Sequence, residues 1–172
     1  DGVNPLNVQF IDFDRPIIEE ETFNFNEKLF NDCPDWVSIQ GFFQSEKYFL
    51  NIEDTIRSMF TFRKELLEPC QSMISGVENP VSLHIRSGDY LTNHRNHNNL
   101  GLDYYAQGLD HFKDHQIVIF SDDPTWCKQQ ELFKDDERFL VSEENNQYMD
   151  MCLMSLCKGH IIANSSFSWW GA

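Results

Sequence analysis

Positive charge is scarce in this chain of 172 residues: Lys and Arg number 13 against 28 Asp and Glu, a formal net charge of −15. That balance repels phosphate backbones and anionic bilayers, so binding of nucleic acid or a membrane surface through bulk charge is excluded and only a local basic pocket is left. Long hydrophobic runs are also missing. Nothing approaches the roughly 18–20 apolar residues of a spanning helix, so no transmembrane segment is expected, and no signal-peptide pattern opens the chain. The first residue is Asp1, which leads us to expect residues ahead of it. Paired cysteines are absent too. Cys33, Cys70, Cys127, Cys152 and Cys157 are odd in number and contain no C-x-x-C, so they form neither a disulfide framework nor a zinc site. Cys152 and Cys157, five apart on a predicted helix, fall on different faces and read as buried thiols in a reducing compartment. Internal repeats and low-complexity tracts are lacking as well.

Aromatic residues, by contrast, are plentiful. They make up 14% of the chain, 15 of them Phe, enough with the 41% hydrophobic content to build a core rather than a disordered segment. The first third is loop-rich and acidic. The run Glu19-Glu20-Glu21 reads as a solvated face. Ile52, Ile56, Met59, Phe60 and Leu67 recur at helical spacing, which predicts one amphipathic helix ended or kinked by Pro69. Gly76 and Pro80 then close the region, and a domain boundary is expected there.

After Pro80 the pattern changes. VSLHI predicts a strand, followed by a polar loop over residues 86–100 and a helix beginning near Asp103 with Leu109 and Phe112 turned inward. IVIF at 117–120 has the length of a buried strand. SDDP follows, where Asp123 can cap and Pro124 can occupy the first turn of a helix carrying Trp126 and Phe133. FLV at 139–141 predicts a strand, Gln147 to Lys158 a helix stopped by Gly159, HIIAN a strand, and SSFSWWGA the start of another helix. Alternation of strand and helix indicates an α/β fold with a parallel sheet.

In such sheets ligands bind beyond the carboxyl ends of the strands. Three predicted strand ends carry polar residues: Arg86-Ser87-Gly88-Asp89, Ser121-Asp122-Asp123, and Asn164-Ser165-Ser166 with Ser168. A cation, two carboxylates and a serine-rich helix start suit a nucleoside diphosphate. Arg86 can clamp phosphate oxygens, helix-start N–H groups and hydroxyls can receive others, and Asp122 or Asp123 can accept from the N–H edge of guanine. Each piece alone has a plainer reading, as a surface ion pair or a helix cap. It is the coincidence of three strand ends that points to a site.

HIRSGDY at 84–90, FSDDPTWC at 120–127 and CKGHIIANSSFSWWGA at 157–172 resemble the motifs of the α-1,2-fucosyltransferase family, which is allied to the α-1,6- and protein O-fucosyltransferases. GFFQSEKYF at 41–49, Ile56-Arg57, Phe60 and LDYY at 102–105 extend the resemblance from about residue 36 to the end. It implies a GT-B-like glycosyltransferase with a Rossmann-type donor sheet, moving L-fucose from GDP-fucose to a galactose-containing glycan with inversion and without a metal or other cofactor. It implies that residues 1–79 belong to an incomplete acceptor-side domain and residues 80–172 to a donor domain cut at its C-terminal end.

The family's HxRRGD motif falls on His84, Arg86, Gly88 and Asp89, with Arg86 as the essential diphosphate contact. The guanine-reading acid falls on Asp122 or Asp123, and Asn164, Ser165, Ser166 and Ser168 are further donor contacts. Asp89 is the expected general base, with His97 behind it; a turn-capping Asp and a solvated loop His are the plainer alternatives. Gln44, Glu46 and Tyr48 are candidates for the acceptor side, with aromatic packing the competing role. Two departures stand out: Ser87 replaces the motif's second arginine, and the family's glycine-rich GGLGNQ segment is absent. The alternatives are an α-1,6-type enzyme, a nucleotide-sugar-binding module without turnover, and an unrelated α/β nucleotide-binding protein.

Overall fold

The computed structural model describes residues 15–86, 100–143 and 146–172. The chain divides into two units between Thr61 and Phe62.

The first unit contains a parallel pair of three-residue strands, β1 (Ile17–Glu19) and β2 (Ser38–Gln40), with helix α1 (Glu27–Asp32) between them in sequence and α2 (Glu53–Met59) after them. Asn26 starts α1 by accepting from the Leu29 N–H at 2.9 Å. The glutamate run is not uniformly solvated. Glu19 and Glu21 are exposed, whereas Glu20 is half-buried. Its Oε2 accepts from the N–H groups of Phe42 and Phe43 at 3.0 and 2.8 Å, and its Oε1 accepts from the Tyr48 hydroxyl at 2.9 Å. The Phe43 N–H holds the Glu20 carboxyl below its usual range, with help from Tyr48 and Phe42 and against the cost of burial. Tyr48 in turn packs against Phe25, Phe30 and Phe43, with ring centroids 4.8, 6.2 and 5.3 Å away. Packing is thus the role the structure gives Tyr48.

The single helix expected from Ile52 onward is two. Helix α2 ends at Met59, and α3 runs over Lys64–Ile74 with Pro69 inside it. Pro69 removes the N–H that would reach the Glu65 carbonyl, but both residues are exposed, so water can serve that oxygen. The helix persists because its opposite face is buried: Cys70, with Leu66, Leu67 and Ile74, packs against the sheet and a later helix. That packing also places α3 in the second unit, so the division lies ahead of Phe62 rather than near Gly76–Pro80.

The second unit continues with β3 (Val81–Ile85), α4 (Leu102–Leu109), β4 (Ile117–Ser121), α5 (Pro124–Gln129), β5 (Phe139–Val141), α6 (Gln147–Ser155), β6 (Gly159–Ile161) and α7 (Ser166–Gly171). The strands form one sheet in the order β5-β4-β3-β6, every pair parallel. The expected α/β parallel architecture is therefore present. All five residues of β3 are buried, as befits a central strand covered on both faces.

Alternation along β3 sends Val81, Leu83 and Ile85 to one face, with Tyr105, Leu109, Cys127 and Phe133. The other face carries Val118 and Phe120 against Cys70, Cys152, Leu153 and Met154. Each large side chain withdrawn from water in this way contributes about 1.5–3 kcal/mol. Gly159 does not end a helix through a left-handed conformation. It opens β6, where an added Cβ would lie 2.7 Å from the Phe112 ring. The preceding helix has already stopped at Ser155. Among the described residues no helix is long and apolar enough to cross a membrane.

Candidate functional site

Because the four strands of the second unit run parallel, their carboxyl ends share one edge of the sheet. On the two central strands Ile85 pairs with Ser121, so the next residue of each, Arg86 and Asp122, emerges beside the other. Arg86 Nη1 lies 3.3 Å from Asp122 Oδ2, with side chains 37% and 25% exposed. A half-exposed pair of this kind adds little stability. Its value is positional: it orients a guanidinium at the sheet edge, and a guanidinium has five donors to offer.

Two residues earlier on β3 stands His84, only 5% exposed and opposite Phe120 in the register. Strand β6 pairs with β3 only as far as Leu83–Ile161, so it has ended where His84 stands. The imidazole packs on Phe167 of α7, with ring centroids 5.5 Å apart, and its Nδ1 has no hydrogen-bond partner among the described residues. Burial pushes its pKa down to about 4; the Asp122 carboxylate opposes that shift and the Arg86 cation adds to it. The ring is neutral at pH 7. The motif thus holds a neutral imidazole and a guanidinium two residues apart.

The remaining predicted residues divide by what their polar atoms already do. Asp123 caps α5, its Oδ1 accepting from the Trp126 N–H at 2.9 Å, while its own N–H donates to Ser121 Oγ at 3.0 Å. Of the two acids left open by the sequence, Asp122 is therefore the one joined to Arg86. Asn164 and Ser166 are exposed at the entry to α7, and Ser165 caps that helix by accepting from the Phe167 N–H at 3.3 Å. Ser168, read as a donor contact, is instead 1% exposed. Its hydroxyl is turned inward to the carbonyls of Ala163 and Ser165, at 3.4 and 3.3 Å, because it lies on the face of α7 that packs on the core. Gly88, Asp89 and His97 lie outside the described residues, as does Ser87.

Two contacts, Arg86–Asp122 and His84–Phe167, bring the three strand ends together. Phe167 is the residue that sequence reasoning passed over. Its signal was the apolar residue set among the serines of SSFS, where capping chemistry drew attention instead. At the fourth strand end, after β5, Ser142 bonds Asp150 at 2.6 Å and Glu143 pairs with Lys128. Among the described residues no three His, Cys, Asp or Glu side chains gather in a metal-ligating group.

The model of glycosyl transferase family 11 matches residues 13–172. A protein of Escherichia coli named alpha-1,2-colitosyltransferase is 39% identical over 164 residues, which cover 88% of this chain and 56% of that protein. Galactoside alpha-(1,2)-fucosyltransferase 1 of Bos taurus is 29% identical over 155 residues, covering 80% of this chain and 43% of the relative. The crystal structure of POFUT1 in complex with GDP aligns with a TM-score of 0.43 at 12% identity, over 80% of this chain and 51% of the other. The chain spans about half the length of the relatives it matches.

Proposed function

The chain belongs to glycosyl transferase family 11, and from that premise we propose that the protein transfers L-fucose from GDP-fucose to a hydroxyl of a galactose-containing glycan, with inversion and in α-1,2 linkage. The observation that carries this reading is the Arg86–Asp122 pair at the ends of adjacent central strands, beside a neutral His84. In the proposed reaction the acceptor oxygen attacks the anomeric carbon and the bond from that carbon to the β-phosphate oxygen breaks. The bonding electrons leave with GDP, and a base takes the hydroxyl proton.

Arg86 meets the charge that grows on the departing diphosphate, and Asp122 fixes the plane of its guanidinium beforehand, so little reorganisation is needed during transfer. His84 presents a neutral imidazole next to that cation and adds hydrogen bonding without further charge. Asp89 is the proposed base, with His97 second. Asn164, Ser165 and Ser166, at the start of α7, are the proposed further phosphate contacts, and Asp123, through its cap, holds the segment that carries Asp122. Cationic and hydrogen-bond stabilisation takes the part that a metal plays in other transferases.

Calorimetric titration with GDP, ADP and UDP tests the reading. Selective GDP binding that is lost in Arg86→Ala supports it; equal binding of ADP would replace it with another nucleotide function. Ser87 motivates a second reading, a donor-binding module without turnover. A large gain in GDP affinity on Ser87→Arg favours that module, whereas little change favours a competent site with one arginine. The 39% identity to a protein named for colitosyl transfer makes GDP-colitose the competing donor. Turnover of the two donors side by side, with NMR of the product linkage, decides between them.

A further inference from the structure

Trp36, in the first unit, is in a conformation that folding alone does not reward. It sits in the turn just before β2 with φ at +64°, the left-handed region where glycine is the ordinary choice and a bulky side chain is strained. Burial returns nothing for that strain, since Trp36 is 77% exposed. Strained positions that persist without a packing reward mark places where a side chain is held for use.

The indole is also held on one side. The Arg15 guanidinium lies over the ring, its Cζ 5.0 Å from the centroid. The position follows from the sheet: Arg15 leads into β1 as Trp36 leads into β2, Ile17 pairs with Ser38, and the Ser38 N–H donates to the Pro16 carbonyl at 2.9 Å. One face of the indole is thus occupied by a cation, and the other faces water. Pro34 and Asp35, next to Trp36 in the same turn, are exposed as well, and so are Ile17 and Ile39 on the paired strands. Phe23 and Phe42, also exposed, already pair with each other at 5.5 Å.

We propose that Trp36 and Arg15 form a stacking platform for a pyranose ring of the acceptor glycan, an inference that rests on the glycosyl-transfer reading above. The apolar C–H face of a galactose-type ring carries slight positive charge and suits the negative face of an indole. The Arg15 guanidinium on the opposite face holds the indole in place for that stacking.

The test uses the full chain and methyl β-galactoside at up to about 10 mM, read by saturation-transfer NMR, with GDP binding measured in parallel. Expected is saturation concentrated on one face of the sugar ring, with affinity reduced at least about tenfold in Trp36→Gly and partly kept in Trp36→Phe. Glycine fits the left-handed backbone, so the melting temperature of Trp36→Gly should stay the same or rise; a loss of sugar binding then cannot come from unfolding. Unchanged saturation in Trp36→Gly, or none from the folded wild-type chain, overturns the platform. So does a melting temperature lowered by several degrees, or a loss of self-association in that variant, because either would mean that protein covers the indole. Sugar saturation that depends on Trp36 without selective GDP binding would overturn the donor reading and leave the platform standing. The opposite pattern would overturn the platform alone.

Discussion

Arg86 and Asp122 meet because their strands are in register: Ile85 pairs with Ser121, and the next residue on each strand completes a 3.3 Å contact from Nη1 to Oδ2. The guanidinium has its plane set by the carboxylate. We expect Arg86→Ala to weaken GDP binding by about a hundredfold, the loss of two charge-assisted hydrogen bonds. Asp122→Asn, which keeps the cation but loosens its orientation, should cost only about three- to tenfold. Calorimetry on the two variants checks the ranking, and an equal loss in both would mean that Asp122 contacts the nucleotide itself.

His84 makes stability depend on pH in a definite direction. Its folded pKa of about 4 lies below the ordinary 6.5, so between those values the unfolded chain binds a proton that the folded chain refuses. Stability is full above about pH 6.5 and declines as pH falls through 4, by about 3 kcal/mol from this group. His84→Gln, with no titrating ring, should lack that component. Thermal melts of both proteins between pH 7 and 4 give the comparison, and parallel curves would refute it. Removing Asp122 should lower the His84 pKa further, and removing Arg86 should raise it, both visible by NMR of the imidazole protons.

Ser168→Ala should leave GDP affinity unchanged and cost about 1 kcal/mol of stability, since it deletes a hydroxyl that, among the described residues, donates to backbone carbonyls. Denaturant unfolding alongside calorimetry separates the two effects. A fall in GDP affinity without a fall in stability would return Ser168 to the donor site.

Gly41→Ala should destabilise the first unit by about 1–3 kcal/mol, the usual cost of forcing atoms into filled space. The new Cβ would lie 2.5 Å from Glu20 Cβ and 2.9 Å from Glu20 Oε2, the group that gathers Phe42, Phe43 and Tyr48. Hydrogen exchange at the Phe42 and Phe43 amides is the direct readout. Protection that survives the substitution would show that Glu20 is not needed to hold that turn.

Much of the second unit was legible in the sequence because its signals are local. VSLHI and IVIF are apolar runs of strand length, and Asp123-Pro124 caps and opens α5 as its chemistry requires. The pairing of Arg86 with Asp122, by contrast, is set by register between strands 36 residues apart, which no local pattern encodes. The partners of Glu20 and Ser168 are hidden from local patterns for the same reason. A glutamate in an acidic run and a serine in a serine-rich helix start look solvated until the tertiary structure supplies partners. Pro69 shows packing overriding propensity: the buried face of α3 outweighs one missing hydrogen bond.

The cysteines turn out to be a set of native reporters on when each unit opens. Cys70, Cys127, Cys152 and Cys157 are buried in the second unit, while Cys33 in the first is half-buried. Burial raises the thiols of Cys127, Cys152 and Cys157 to about 11 or 12, far from the reactive thiolate. A maleimide should therefore mark Cys33 promptly and reach the other four only at the pace of transient opening. Mass spectrometry of a labelling time course then becomes a stopwatch for the four-stranded sheet, and its slowing by GDP would report ligand binding from inside the core.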